Sequence, residues 1–213
     1  MIKPDSIVAL STPPGVGAIA IVRVSGEDSI KICDKIFIYK KSNKLSDQKS
    51  HTVHFGKIIN NNNVLDEVLV TIFKAPHSYT GENTVEISCH GSNFIQQKLI
   101  DLLIQSGARL ASPGEFTLRS FLNKKMDLNQ AEAVADLISS ENESSHKLAM
   151  QHMRKDFSND LKKLREELVK FTSLIELELD FSEEDVEFAD RKQFDSLLKK
   201  IHLELKMLVD SFN

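Results

Sequence analysis

The sequence is poor in cysteine: Cys33 and Cys89 are the only two. They are too few for a disulfide framework and too far apart for a C-x-x-C metal clip. Both read as reduced core residues, because a free cysteine behaves as a small hydrophobe. The seven histidines include no H-E-x-x-H, and His146 and His152 are six residues apart. That spacing does not place two ligands on one helical face, so no zinc or other transition-metal centre is expected. Apolar runs such as residues 19–22 and 68–73 stop well short of the roughly 20 residues that span a bilayer. No basic segment followed by a signal-type apolar core opens the chain. A cytoplasmic protein with no membrane partner is the expectation.

Phosphate-loop chemistry is also missing. Thr12-Pro13-Pro14-Gly15-Val16-Gly17 has the glycines that let backbone N–H groups approach an anion, but no G-x-x-x-x-G-K-[ST] occurs anywhere. Two prolines followed by two glycines read as a rigid turn. The acidic stretch from Asp180 to Asp190 lacks the EF-hand spacing and reads as a solvated link between helices.

What is present is ordinary globular material: 213 residues, 41% apolar and 27% charged, enough for one large or two modest cores. Charge is unevenly shared. Residues 1–127 hold 15 Lys+Arg against 12 Asp+Glu, whereas residues 128–213 hold 12 against 19. An acidic second half repels phosphate, so any RNA contact is expected in the first half.

The pattern changes near Leu128. Before it, short β-branched runs at 6–10 and 18–24 flank the turn-rich loop, and residues 27–37 place Ile30, Cys33, Ile36 and Phe37 at helical spacing behind acidic residues. Residues 40–50 are polar and read as an exposed connection. Strands are expected at 52–59 and 64–73 around four asparagines that tolerate left-handed turns. A loop at 75–83, a strand at 84–89 and an amphipathic helix carrying Phe94, Ile95, Leu99, Leu102 and Leu103 follow. After Leu128 the spacing is helical. Residues 130–140 lead to a stripe of Leu161, Leu164, Leu168, Phe171 and Ile175, and Phe194, Leu197, Ile201, Leu205, Leu208 and Phe212 form a last one. The expected fold class is α+β, a mixed α/β domain at 1–127 and a long antiparallel helical arm at 128–213.

Three charged residues sit in apolar company: Arg23 within 19–24, Glu86 between Val85 and Ile87, and Lys125 beside Met126. A charge in such surroundings needs a partner. Internal salt bridges and a bound ligand both satisfy that need.

The motif strings are more specific. Ile7-Val8-Ala9, Thr12-Pro13-Pro14-Gly15, Ile21-Val22-Arg23-Val24-Ser25-Gly26, Ser78-Tyr79-Thr80-Gly81-Glu82, Val85-Glu86-Ile87 and Cys89-His90-Gly91 occur in order. Pro113-Gly114-Glu115-Phe116-Thr117, a near-continuous block from Phe121 to Ile138, and Glu178-Leu179-Asp180-Phe181 continue them. Together they resemble the MnmE (TrmE) family of tRNA uridine-34 carboxymethylaminomethylation GTPases over nearly the whole chain. Val16 stands where the family often has Arg, Ser92 where it often has a second Gly, and Lys124 where it often has Gly.

The resemblance implies an aminomethyltransferase-like front domain that binds 5-formyl- or 5,10-methylene-tetrahydrofolate and forms a homodimer. Its folate contacts fall on Arg23, Glu86 and Lys125. A carboxylate suits the guanidine-like edge of a pterin, and two cations suit carbonyl oxygens or the glutamate tail. The resemblance also implies tRNA and the FAD-bearing flavoprotein MnmG as partners, with GTP, K+ and Mg2+ bound by a G domain. That domain and the family's C-terminal cysteine motif are expected to be missing from this chain, which ends about where the G domain is inserted, so no GTPase activity of its own and no catalytic residue are expected. A stand-alone folate-dependent one-carbon transferase and a purely structural dimer scaffold are the alternatives.

Overall fold

A computed structural model describes residues 5–39, 44–180 and 191–210, and within these the side chains except those of 155–161 and scattered positions in the last two helices. The expectations for the Leu161, Leu205 and Leu208 side chains, for Phe181 and Phe212, and for the acidic residues 181–190 lie outside the described residues. The chain divides into two compact units, 1–127 and 128–213, with a mixed sheet in the first and helices alone in the second.

The first unit is built on a seven-stranded sheet. Its strands are β1 (Ile7–Leu10), β2 (Ile19–Ser25), β3 (Phe37–Tyr39), β4 (Thr52–Asn60), β5 (Asn63–Phe73), β6 (Thr84–His90) and β7 (Arg109–Leu110). They lie in the order β3-β4-β5-β6-β2-β1-β7, antiparallel throughout except for the β1/β7 pair. Asn61 and Asn62 join β4 to β5 with φ of 48° and 68°, the left-handed pair that a two-residue hairpin needs and that asparagine adopts at low cost. Side chains alternate across the sheet. Val22, Val24, Val70, Val85 and Ile87 are fully buried on one face, where they form a core with Ile30, Ile32 and Cys33 of helix α1 (Ser29–Asp34) and Leu99, Leu102 and Leu103 of helix α2 (Asn93–Gln105). Both cysteines are free and buried in this layer.

Two local expectations need correction. The helix expected over 27–37 is only six residues long, because Phe37 leaves it to open β3, where it pairs with Ile58. Asp28 occupies the N-cap position but its carboxylate turns to Lys31 Nζ at 2.8 Å and caps no backbone N–H. In the described part of the polar segment, 44–50, the chain is not simply an exposed connection. Leu45 opens a 3₁₀ turn (Leu45–Asp47) and is 1% exposed within the core, and the Asp34 carboxylate accepts from the Leu45 and Ser46 N–H groups.

A short helix, α3 (Glu115–Leu122), completes the first unit. The second unit comprises α4 (Leu128–Ser139), α5 (Glu143–Met153), α6 (Lys155–Asp180) and α7 (Arg191–Asp210). Asn142 and Ser145 form a reciprocal capping box at the start of α5, and Gln130 Nε2 donates to the Met153 carbonyl, joining the first turn of α4 to the end of α5. Phe171 stacks on Phe194 with ring centroids 4.3 Å apart, and Lys200 reaches Glu167 at 3.7 Å, so α6 and α7 run antiparallel; Leu164, Phe171 and Ile175 join their seam as expected, whereas Leu168 is exposed and Leu174 packs there instead.

Leu45→Ala should destabilise the first unit by about 2–5 kcal/mol, the cost of emptying a closed core position, whereas an exposed residue would cost under about 0.5 kcal/mol. A urea titration of the variant separates the two.

Candidate ligand site on the sheet

Arg23 and Glu86 lie 63 positions apart and become direct neighbours through strand register, since β2 and β6 align Arg23 with Glu86. Both point to the face opposite the valine core and are half-buried. Arg23 Nε donates to Glu86 Oε1 at 2.8 Å and Nη2 approaches the same oxygen at 2.8 Å. Among the described residues, no hydrogen bond reaches Glu86 Oε2 or leaves Arg23 Nη1. The pair therefore satisfies its own charge through Oε1 and leaves Glu86 Oε2 as an acceptor and the Arg23 Nη1 amino group as a donor group.

Aromatic side chains complete the surroundings of the guanidinium. Arg23 Cζ is 5.2 Å from the Tyr79 ring centroid and 5.6 Å from that of Phe116, inside the range of cation–π attraction. Lys125 is not in apolar company as its sequence neighbours suggested. It is exposed, its Nζ donates to the Pro76 carbonyl at 3.1 Å, and its stem lies against Gly81, whose φ of +79° suits glycine. The structure thus joins Arg23 to Glu86 directly and brings Lys125 against the loop that carries Tyr79.

That loop is anchored by ions the sequence did not reveal. Arg119 on α3 is 2% exposed and pairs with Asp5 at 2.6 Å, Glu115 at 3.1 Å and Glu82 at 3.2 Å. Arg109 shares Asp5 and Glu115, and Ser25 Oγ donates to Glu82 and meets Thr80 Oγ1. Burial works against the charge of Arg119, but hydrogen bonding to Asp5 and the charge of Glu82 outweigh it and raise its pKa. The hydrogen bond from Arg109 draws Glu115 from 4.5 down to about 2 against the opposing effect of burial, and Asp5 is lowered in the same way. Glu82 and Glu115 belong to recognisable motif strings, yet nothing in those strings marks Arg119 as their partner.

A second pair was equally hidden. Asp66 of β5, 7% exposed at its side chain, accepts from both the backbone N–H of His90 and its Nδ1 at 2.8 and 2.6 Å. His90 itself projects into solvent, while its neighbour Cys89 faces the core and has its thiol pushed up to about 11 by burial and then by the charge of Asp66. The prolyl-glycyl loop is followed by a strand and not by a helix, and its Gly17 packs so closely on Gly91 that a Cβ there would meet the Gly17 carbonyl at 2.3 Å. Lys124, at a position where the resembling family often has glycine, has a φ of 59°.

Two family descriptions account for the chain in sequence. Residues 6–125 match the GTP-binding protein TrmE N-terminus, and residues 128–213 match the MnmE helical domain. The chain belongs to the MnmE family. The tRNA modification GTPase MnmE of Flavobacterium johnsoniae is 62% identical over 212 residues, covering 100% of this chain and 46% of that protein. The MnmE of Flavobacterium psychrophilum is likewise 62% identical over 212 residues, again 100% of this chain and 46% of the relative. That of Christiangramia forsetii is 61% identical over 208 residues, 98% of this chain and 44% of the relative. The chain therefore spans about half the length of these MnmE relatives and matches their N-terminal family segment. Among the described residues, no helix is long and apolar enough to cross a membrane.

Glu115 and Asp5 titrate lower in the folded chain than in the unfolded one, so on acidification the unfolded chain takes up protons first. Their contribution to stability is complete above the ordinary glutamate value of 4.5 and is lost as pH falls toward about 2. Glu115→Gln should lower stability at neutral pH and flatten its decline across that acid window. Urea midpoints measured from pH 7 down to 2.5 test both.

Proposed function

We propose that the mixed α/β unit binds a reduced folate, 5-formyl- or 5,10-methylene-tetrahydrofolate, through Arg23, Glu86 and Lys125, and that it does so as part of a homodimeric tRNA-modifying GTPase. The observation that carries the reading is the incomplete self-satisfaction of the Arg23/Glu86 pair. A pterin lactam edge offers N–H donors beside a carbonyl oxygen, the complement of a free carboxylate oxygen beside a free guanidinium N–H. Lys125, whose partner among the described residues is a backbone carbonyl, can exchange that contact for a carboxylate of the glutamate tail at little cost. When bound, the folate would supply a one-carbon unit at an activated oxidation level.

Within the same proposal the carbon is destined for C5 of the wobble uridine at position 34, giving 5-carboxymethylaminomethyluridine or its aminomethyl form. The setting is the cytoplasm, and the flavoprotein MnmG, tRNA, and a GTP-, K+- and Mg2+-binding G domain are the other participants. These 213 residues contain no G-x-x-x-x-G-K-[ST] motif and by themselves should hydrolyse no GTP.

Calorimetric titration with 5-formyltetrahydrofolate tests the proposal. Wild type should bind, and Arg23→Ala and Glu86→Gln should each weaken binding by roughly 10-fold or more, as expected when a charged hydrogen-bond partner is removed. Lys125→Ala should have a smaller effect. A folded wild-type protein that takes up no folate would refute the assignment.

A further inference from the structure

Helix α3 carries Thr117 and Ser120, and Asn123 is its C-cap, so the three follow at three-residue intervals. Each bonds to the 75–83 loop. The Thr117 and Tyr79 hydroxyls meet at 2.8 Å, Ser120 Oγ donates to the Tyr79 carbonyl at 2.8 Å, and Asn123 Nδ2 donates to the Thr80 carbonyl at 2.8 Å. Tyr79 is thereby held at both ends, its main chain by Ser120 and its phenol by Thr117. Its ring is one of the two beside the Arg23 guanidinium, and the other, Phe116, precedes Thr117 on the same helix. Both rings are placed by α3, although α3 itself contributes no hydrogen bond to Arg23.

Arginine is a costly residue to immobilise because its stem has many rotamers, and a guanidinium already ordered before a ligand arrives binds more tightly than one that must be ordered on arrival. We infer that Tyr79 and Thr117 are positioning residues: their hydroxyl contact fixes the aromatic wall that orients Arg23, and ligand affinity at the Arg23/Glu86 pair depends on it. The inference rests on the folate reading above and adds two residues to it that touch one another at the edge of the site. A hydroxyl contact that only staples the loop to α3 would stabilise the fold and leave affinity alone.

Three variants of the 213-residue chain separate these roles. Thr117→Val keeps the shape and removes the hydroxyl, Thr117→Ser keeps the hydroxyl, and Tyr79→Phe keeps the ring. Titrated with 5-formyltetrahydrofolate, Thr117→Val and Tyr79→Phe should each bind about 3- to 10-fold more weakly, the range of one neutral hydrogen bond. Thr117→Ser should bind as wild type does, and the Tyr79→Phe/Thr117→Val double variant should be no weaker than either single, since both remove the same contact. Thermal unfolding without ligand is measured on the same samples. Lower melting temperatures with unchanged affinity would overturn the positioning role. If Arg23→Ala abolishes binding while Thr117→Val and Tyr79→Phe do not alter it, the positioning role fails and the ligand assignment stands; if wild type binds no folate, the ligand assignment fails first.

Discussion

The buried guanidinium of Arg119 is the constraint on which the candidate site depends. A cation that is 2% exposed has lost its water and must recover that energy from fixed partners. It does so with three carboxylates from three places in the chain: Asp5 ahead of β1, Glu82 at the end of the 75–83 loop, and Glu115 one turn earlier on its own helix. Arg109 shares two of them, so the acids do not repel one another unchecked. Satisfying that charge fixes where α3 can lie. With α3 in place, Phe116 and Tyr79 come to Arg23, and Lys125 follows just past the helix end.

The same constraint explains why no apolar stripe announces α3. Periodicity finds a helix by its apolar stripe, and here the buried residues are Arg119 and Ser120, while Leu118 and Leu122 face outward. The helix is inverted with respect to the rule. Elsewhere the rule held. Four asparagines mark the hairpin between β4 and β5, and alternation of apolar and polar residues marks β6. Leu45 is masked by its polar neighbours, and α1 is shorter than its periodicity implies because Phe37 continues the helical spacing while its backbone already pairs with β4.

For the site, the residues were legible singly and their relation was not. Arg23 and Glu86 stand out as charges on strands, but whether they meet depends on register between segments 63 positions apart, which no local pattern records. The Asp66/His90 pair was invisible for the same reason, joining β5 to the end of β6. Neighbouring motif strings named Glu82 and Glu115 without indicating that one arginine serves both. Chain order reveals which groups need a counterpart, and only the sheet decides which counterpart each one meets.

Because β2 alternates Ala20, Val22 and Val24 toward the core with Ile21 and Arg23 away from it, the strand is sensitive to its length in a way that its composition does not suggest. Deleting one residue between Ile19 and Arg23 would carry the arginine into the valine layer and turn two valines outward. Exchange of one valine for isoleucine alters only packing. Frame within these strands, more than the identity of their apolar residues, is therefore what mutation can least afford to disturb.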